Sequence, residues 1–194
     1  MRGFALGLIK PQRMISFGAT NLWTLEKQDL GEHYRWANND NLRRLSGGYP
    51  RPRSTHDVEA WYQSVVSDVT REIFSVKTQT AQHVGWAQFS FLNYVSGSAE
   101  VGIVIDEQYW RQGYGHDSLV ALIKYAFEDL RLHRLSAEIL AINLPSKNLF
   151  EKVGFRQEGT KKEAYFTSGR FLDVEIFGLL SRDFTCPVPK SQPD

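Results

Sequence analysis

The chain has 194 residues, enough for one domain with a buried core and short for two full ones. Hydrophobic residues make up 42% and charged residues 23%, the balance of a soluble globular protein, and a formal net charge of +1 supplies none of the basic excess that nucleic-acid binders carry. The single cysteine, Cys186, leaves no disulfide framework or cysteine metal cluster, and no apolar run approaches the roughly 20 residues that span a bilayer.

The start holds a short apolar stretch, Phe4 to Ile9, with no small-residue cleavage site after it. Residues 1–14 therefore read as an extension rather than a secretory signal, and the expected location is the cytoplasm. Loose alternation from Thr20 to Lys27 predicts a first strand. Asp29 is placed to cap a helix running to about Asn38. The glycines and prolines of 46–52 make a turn-rich loop. A helix from Ser54 or Thr55 follows, with Val58, Trp61, Tyr62, Val65 and Val66 in one stripe. Three strands, about 72–78, 83–94 and 99–105, are rich in Val, Ile, Phe and Trp and read as an antiparallel meander. A helix from about Gly115 to Leu130 carries the stripe Leu119, Leu122, Ile123, Ala126, Phe127 and Leu130. A strand from Arg134 to Ala141 leads to a short helix from Pro145 to Val153, stopped by Gly154. Strands near 155–160 and 171–180 flank a turn at Ser168 and Gly169, and a proline-containing tail, 185–194, is expected to be disordered. The order β-α-α-β-β-β-α-β-α-β-β predicts a mixed α/β (α+β) layer with helices covering a sheet, and 15–184 as one domain.

The segment after Ile105 is the most informative. A strand ends, Trp110-Arg111-Gln112-Gly113-Tyr114-Gly115 follows, and an amphipathic helix starts. Helix N-termini present unpaired N–H groups and a positive dipole end, and glycines let that backbone approach an anion closely. By itself the fragment is equally an ordinary glycine turn entering a helix. It lacks the Gly-Lys-Ser/Thr ending of a P-loop and the third glycine of a dinucleotide-binding loop, where Ser118 stands.

Several separate segments resemble the GNAT superfamily of N-acetyltransferases, in the branch that includes ribosomal-protein-alanine and spermidine N-acetyltransferases. They are Ala99-Glu100-Val101-Gly102-Ile103, the loop Tyr109 to Gly115, Leu132-His133-Arg134-Leu135, Asn143 through Glu151-Lys152-Val153-Gly154-Phe155, and Glu158-Gly159-Thr160 with Gly169 to Val174. The resemblance runs from about Ile15 to Phe184. It implies a mixed, mostly antiparallel sheet flanked by helices, with a splayed central strand pair. It implies acetyl-CoA as donor and an amine as acceptor, on a small molecule or a protein N-terminus, with a homodimer as a compatible assembly and neither nucleic acid nor membrane as partner. Backbone groups of Ile103, Val104 and Ile105 would hold pantetheine. Arg111, Gln112, Gly113, Tyr114, Gly115 and His116 would hold pyrophosphate. Asn143 and Ser146 would contact the CoA arm, and the Phe150 ring would pack against it. The family often has a tyrosine at the place of Phe150, able to protonate the departing thiolate. Phe150 has no hydroxyl, so Tyr109 and Tyr165 become the alternatives for that acid, and a non-catalytic acyl-CoA-binding module becomes the alternative function.

An alkyl amine with a pKa of about 10 must lose a proton before attacking a thioester. Glu100 alternates out of register with Ala99, Val101, Ile103 and Ile105, so it points to the opposite sheet face and is the candidate base. The plainer alternative is a surface ion pair with Lys or Arg. Asp117 is expected to complement the helix dipole. His33 and His56 are expected on solvent faces of their helices, and Trp23, Trp36, Trp61 and Trp86 in the core. No histidine pair has metal spacing.

Overall fold

A computed structural model describes residues 14–48 and 51–189. Its strands are β1 (Ile15–Phe17), β2 (Thr20–Thr24), β3 (Glu72–Thr78), β4 (His83–Asn93), β5 (Ser98–Ile105), β6 (Arg134–Leu140), β7 (Arg156–Thr167) and β8 (Arg170–Leu180). Its helices are α1 (Leu30–Ala37), α2 (Asp40–Ser46), α3 (Thr55–Val66), α4 (Tyr114–Lys124) and α5 (Leu144–Lys152). The strands form one sheet in the order β1-β2-β3-β4-β5-β6-β8-β7, antiparallel throughout except where β5 meets β6.

The core lies on one face of this sheet. Phe74, Val76, Ala87, Phe89, Val101, Leu135 and Phe177 project there and meet the α4 stripe of Leu119, Leu122 and Ile123. Each of those α4 side chains is fully buried, worth about 1.5–3 kcal/mol relative to exposure. The stripe continues through a π turn at Tyr125–Asp129 rather than as an unbroken α-helix. On the opposite face, α1 and α3 cover β2 to β4, with Leu25, Val65 and Ile73 as a smaller cluster under Trp61 and Tyr62.

Two elements are additions to the expected order. β1 is three residues long and forms a hairpin with β2. α2 occupies seven residues, capped by Asn39, whose side chain accepts from the N–H groups of Asn41 and Leu42, and ended by Gly47 in the left-handed region at φ 72°. Both are too short to show a period. β7 extends to Thr167, beyond the expected 155–160, paired with β8; its mostly exposed, polar side chains carry no alternation from which that length could be read. The first strand stops at Thr24, since Glu26 and Asp29 close a capping box around a single 3-10 turn.

Asp29 stands at the N-cap of α1, yet its carboxylate makes no cap bond to that helix. It turns to the sheet, accepting from Ser75 Oγ and Lys77 Nζ, both at 2.7 Å. His33 corrects a second expectation. It is 5% exposed, within 5.1–6.3 Å of the rings of Trp36, Trp61 and Trp86. Burial in that aromatic nest, and the neighbouring His83, push its pKa down to about 3. His56 is exposed as expected. Residues 1–13, Tyr49, Pro50 and 190–194 lie outside the described residues, so most of the expected extension and the end of the expected tail do too; residues 184–189 carry no regular secondary structure.

Candidate active site

The sheet opens in its middle. β5 and β6 pair only through Ser98, Ala99 and Glu100 against Arg134, Leu135 and Ser136, then separate. The register of β4 and β5 decides which backbone groups the separation frees. Asp106 N–H donates to Val84 C=O at 2.9 Å, and Trp86 faces Val104 and Gln88 faces Gly102 in the same ladder. Hydrogen-bonded pairs alternate in an antiparallel ladder, so the groups of Val104 and Gly102 turn to β4. The N–H and C=O of Ile103 and Ile105 turn the other way, toward the gap left by β6. This is a strand edge in the interior of a sheet, ready to pair with an extended amide chain.

The loop beyond that edge opens onto a helix N-terminus. Arg111 and Gly113 both sit at positive φ, 62° and 90°, and Gly113 is the N-cap of α4. A β-carbon at Gly113 would have the space but not the backbone conformation, which L side chains rarely adopt. The first helical bond of α4 is Asp117 N–H to Gly113 C=O. The amides of Tyr114, Gly115 and His116 therefore point out of the helix end. Arg111 and Gln112 are exposed beside them. Asp117 does more than complement the dipole: its carboxylate accepts from Ala19 N–H at 2.8 Å and lies 3.0 Å from His116 Nδ1, tying the β1–β2 turn to the helix start.

Glu100 lies where the two strands part, on the face away from the core. It is half-buried in a depression of about 220 Å³ lined by Phe91, Ser98, Ala99, Arg134 and Ser136. It forms no ion pair among the described residues. Burial raises its pKa and repulsion from Glu138 adds to the rise, with Lys161 partly opposing. Lys161 is bound to Glu138, and Arg134 to Glu158, so the basic groups on this face have other partners.

The remaining expected residues fall in three places. Asn143 caps α5, accepting from Ser146 N–H at 3.1 Å, and donates its amide to Leu45 C=O at 2.9 Å, so it links α5 to the end of α2. Phe150 is 3% exposed and packs edge-on against Phe155 at 5.0 Å. Tyr109 packs its ring against Tyr114 at 6.2 Å, beside the loop. Tyr165 donates its hydroxyl to Gly48 C=O at 2.8 Å, and burial raises its pKa, which keeps the proton on. A second depression, of about 360 Å³ between β1–β3 and α3, lies apart from all of these. Among the described residues no group of three or more His, Cys, Asp or Glu could hold a metal ion, and no helix is long and apolar enough to cross a membrane.

Two sets of contacts beside the site escape sequence reasoning. Asp106, buried at the end of β5, accepts from Arg35, from Trp36 Nε1 at 3.1 Å and from Gln108 Nε2 at 2.9 Å. Burial alone would raise its pKa, but these donors hold it below the ordinary carboxylate value. The only local signal is an aspartate between a strand and a turn. Trp110 donates its indole N–H to Ile105 C=O at 2.7 Å, a contact with no sequence signal.

A parted strand pair with a free inner edge, followed by a glycine-built helix start, presents backbone groups of two kinds, one suited to extended amides and the other to anions. The chain belongs to the acetyltransferase (GNAT) domain family, which it matches over residues 20–156. It is 27% identical over 164 residues to a spermidine N(1)-acetyltransferase of Vibrio cholerae, covering 84% of this chain and 94% of that one. It is 30% identical over 106 residues to an uncharacterised N-acetyltransferase of Bacillus licheniformis, where the match spans 55% of this chain and 60% of that protein. The crystal structure of the Vibrio cholerae spermidine N-acetyltransferase in complex with CoA and spermine superposes with a TM-score of 0.81 at 26% identity, over 85% of this chain and 97% of that one. A dodecameric form of that enzyme gives 0.72 at 25%, over 84% of this chain and 94% of that one. The mixed, mostly antiparallel fold expected from the sequence is thus borne out, and the protein is an acetyl-CoA-dependent N-acetyltransferase that transfers an acetyl group to an amine.

Proposed function

We propose that the acceptor is a primary amine of a small molecule or of a protein N-terminus, that attack on the thioester is direct, and that Glu100 takes the ammonium proton. The observation that carries this is a half-buried carboxylate, with no ion pair among the described residues, where β5 and β6 part. The residues fit CoA: the inner edge of Ile103 and Ile105 suits pantetheine, and the outward amides of Tyr114, Gly115 and His116, with Arg111, suit pyrophosphate. Acetyl-CoA supplies the activated acetyl group. Ile103 N–H, on the free edge, is the donor for negative charge developing on the carbonyl oxygen. A raised pKa keeps Glu100 closer to the amine in basicity than an ordinary carboxylate. Tyr109 or Tyr165 is the hydroxyl from which the thiolate takes its proton, since Phe150 is a core ring.

The acids facing the open sheet are mostly matched, Glu138 with Lys161 and Glu158 with Arg134, which favours an acceptor that presents one amine over a long polycation. Residues 15–184 are assigned to the catalytic domain, the cytoplasm to its location, and self-assembly, a dimer at the least, to its state, with the dodecameric relative in support. Incubation with acetyl-CoA and a panel of amines, spermidine and N-terminal peptides included, followed by CoA thiol release, is expected to show turnover that disappears with N-acetylated acceptors. Tight CoA binding with no turnover across the panel would overturn the reading.

A further inference from the structure

The inner edge of β5 ends at a carbonyl that is already occupied. Ile105 C=O faces the gap, and a backbone acceptor there needs a partner. Trp110, five residues on, supplies it through its indole N–H at 2.7 Å, while the ring stays 37% exposed. The chain between them is closed twice more. Tyr109 N–H returns to Asp106 C=O at 2.9 Å, and Trp110 N–H to Glu107 C=O at 3.1 Å. The Asp106 side chain anchors the same turn to α1 through Arg35 and Trp36. The strand edge and the anion-binding loop are therefore joined by a short segment fixed at both ends, with Trp110 as the tie on the cofactor side.

We propose that Trp110 is a positioning residue that sets the distance and angle between the pantetheine-pairing edge and the pyrophosphate loop. The inference rests on the CoA reading of the parted strands. By satisfying Ile105 C=O, the indole leaves Ile103 C=O and Ile105 N–H as the groups on which an extended amide chain pairs. It also holds Arg111 and Gly113 in register with that chain. Two half-sites rigidly spaced bind a ligand that spans both more tightly than either half predicts, because the second contact is made at high effective concentration.

The test separates spacing from folding by using a ligand for both halves and a ligand for one. CoA and 3′,5′-ADP are titrated calorimetrically into the wild-type protein and into Trp110→Phe, which keeps an aromatic ring and loses the donor. CoA affinity is expected to fall about tenfold, the scale of one lost bond with its acceptor left unmet, while 3′,5′-ADP affinity stays within twofold. Trp110→His, which keeps a ring N–H, is expected to recover part of the loss. CoA quenching or shifting of tryptophan emission in the wild type, absent in Trp110→Phe, is the spectroscopic counterpart. Equal losses for both ligands, or no loss for CoA, would overturn the inference while leaving the CoA site standing. Failure of the wild type to bind CoA would overturn the CoA reading itself.

Discussion

One face of one sheet is treated in two ways in this molecule. Over β2 to β4 it is roofed by α1 and α3, and the polar groups beneath are buried and interlocked: Asp29 with Ser75 and Lys77, His33 among three indoles, Asp106 with Arg35 and Trp36. Over β5, β6, β8 and β7 it is open, and its charges form solvated pairs around one half-buried carboxylate, Glu100. The difference teaches where binding can occur. Charges under a roof hold elements together and are costly to disturb, whereas pairs in water are worth little and exchange readily with an incoming ligand.

The sharpest way to break this comparison is to remove the open carboxylate. Glu100→Gln is expected to lower kcat by about 10²–10⁴ at neutral pH with little change in thermal stability. The loss should shrink at high pH, where the amine deprotonates unaided. In the wild type the acid limb of kcat/KM should lie above the ordinary glutamate range, because the base works only when ionised and its pKa is raised. An unchanged pH–rate profile in the variant would remove Glu100 from the role.

Under the roof the expected loss is in stability. Asp106→Ala strands the buried Trp36 N–H and leaves Arg35 with Glu32 alone, and should cost roughly 3 kcal/mol in urea denaturation. A cost below about 1 kcal/mol would mean that the node is not structural.

Smaller again is the pH effect. His33 is held near pKa 3 by burial and by His83, with Asp29 opposing, and His83 is itself lowered by burial. The unfolded chain takes up a proton near pH 6.5 that folded His33 refuses. Stability is therefore full above that value and declines as pH falls below it, by about 2 kcal/mol for His33 at pH 5. His33→Phe, packed against the same indoles, should flatten this decline between pH 8 and pH 5. An identical decline in the variant would shift the effect to other groups.

The smallest change is on the open face. Lys161→Met should alter stability by less than about 1 kcal/mol. It removes the charge that partly lowers the Glu100 pKa and leaves Glu138 uncompensated, so the acid limb should move to higher pH. Movement to lower pH would contradict the electrostatic picture of this face.

What was legible in the sequence follows the same division by range. β3 to β5 and α4 were readable because their side chains alternate or repeat within a single element, α5 because Pro145 and Gly154 punctuate it, and the loop from Arg111 to Gly115 because its glycines act locally. α2 was not, since seven residues with only Leu42 buried carry no stripe. His33 was not, because the rings that bury it include Trp61 on α3 and Trp86 on β4, far along the chain. The engagement of Tyr165 and Asn143 with carbonyls at the end of α2 was equally hidden. Residues read as chemically available were found holding backbone, a fact that only the closed chain reveals.

The bond from Ala19 N–H to Asp117 bears on how the chain can be shortened. A β-carbon at Gly18, itself at positive φ, would fall 2.2 Å from the Asp117 carboxylate, so the turn and the helix start are fitted to each other. A truncation that begins beyond Ala19 would leave the catalytic fold nominally whole by sequence match, yet would remove the peg on the first turn of α4. The usable N-terminal boundary is thus set by the first turn of α4, nearly a hundred residues downstream, and lies before Ala19 rather than at the first matched position.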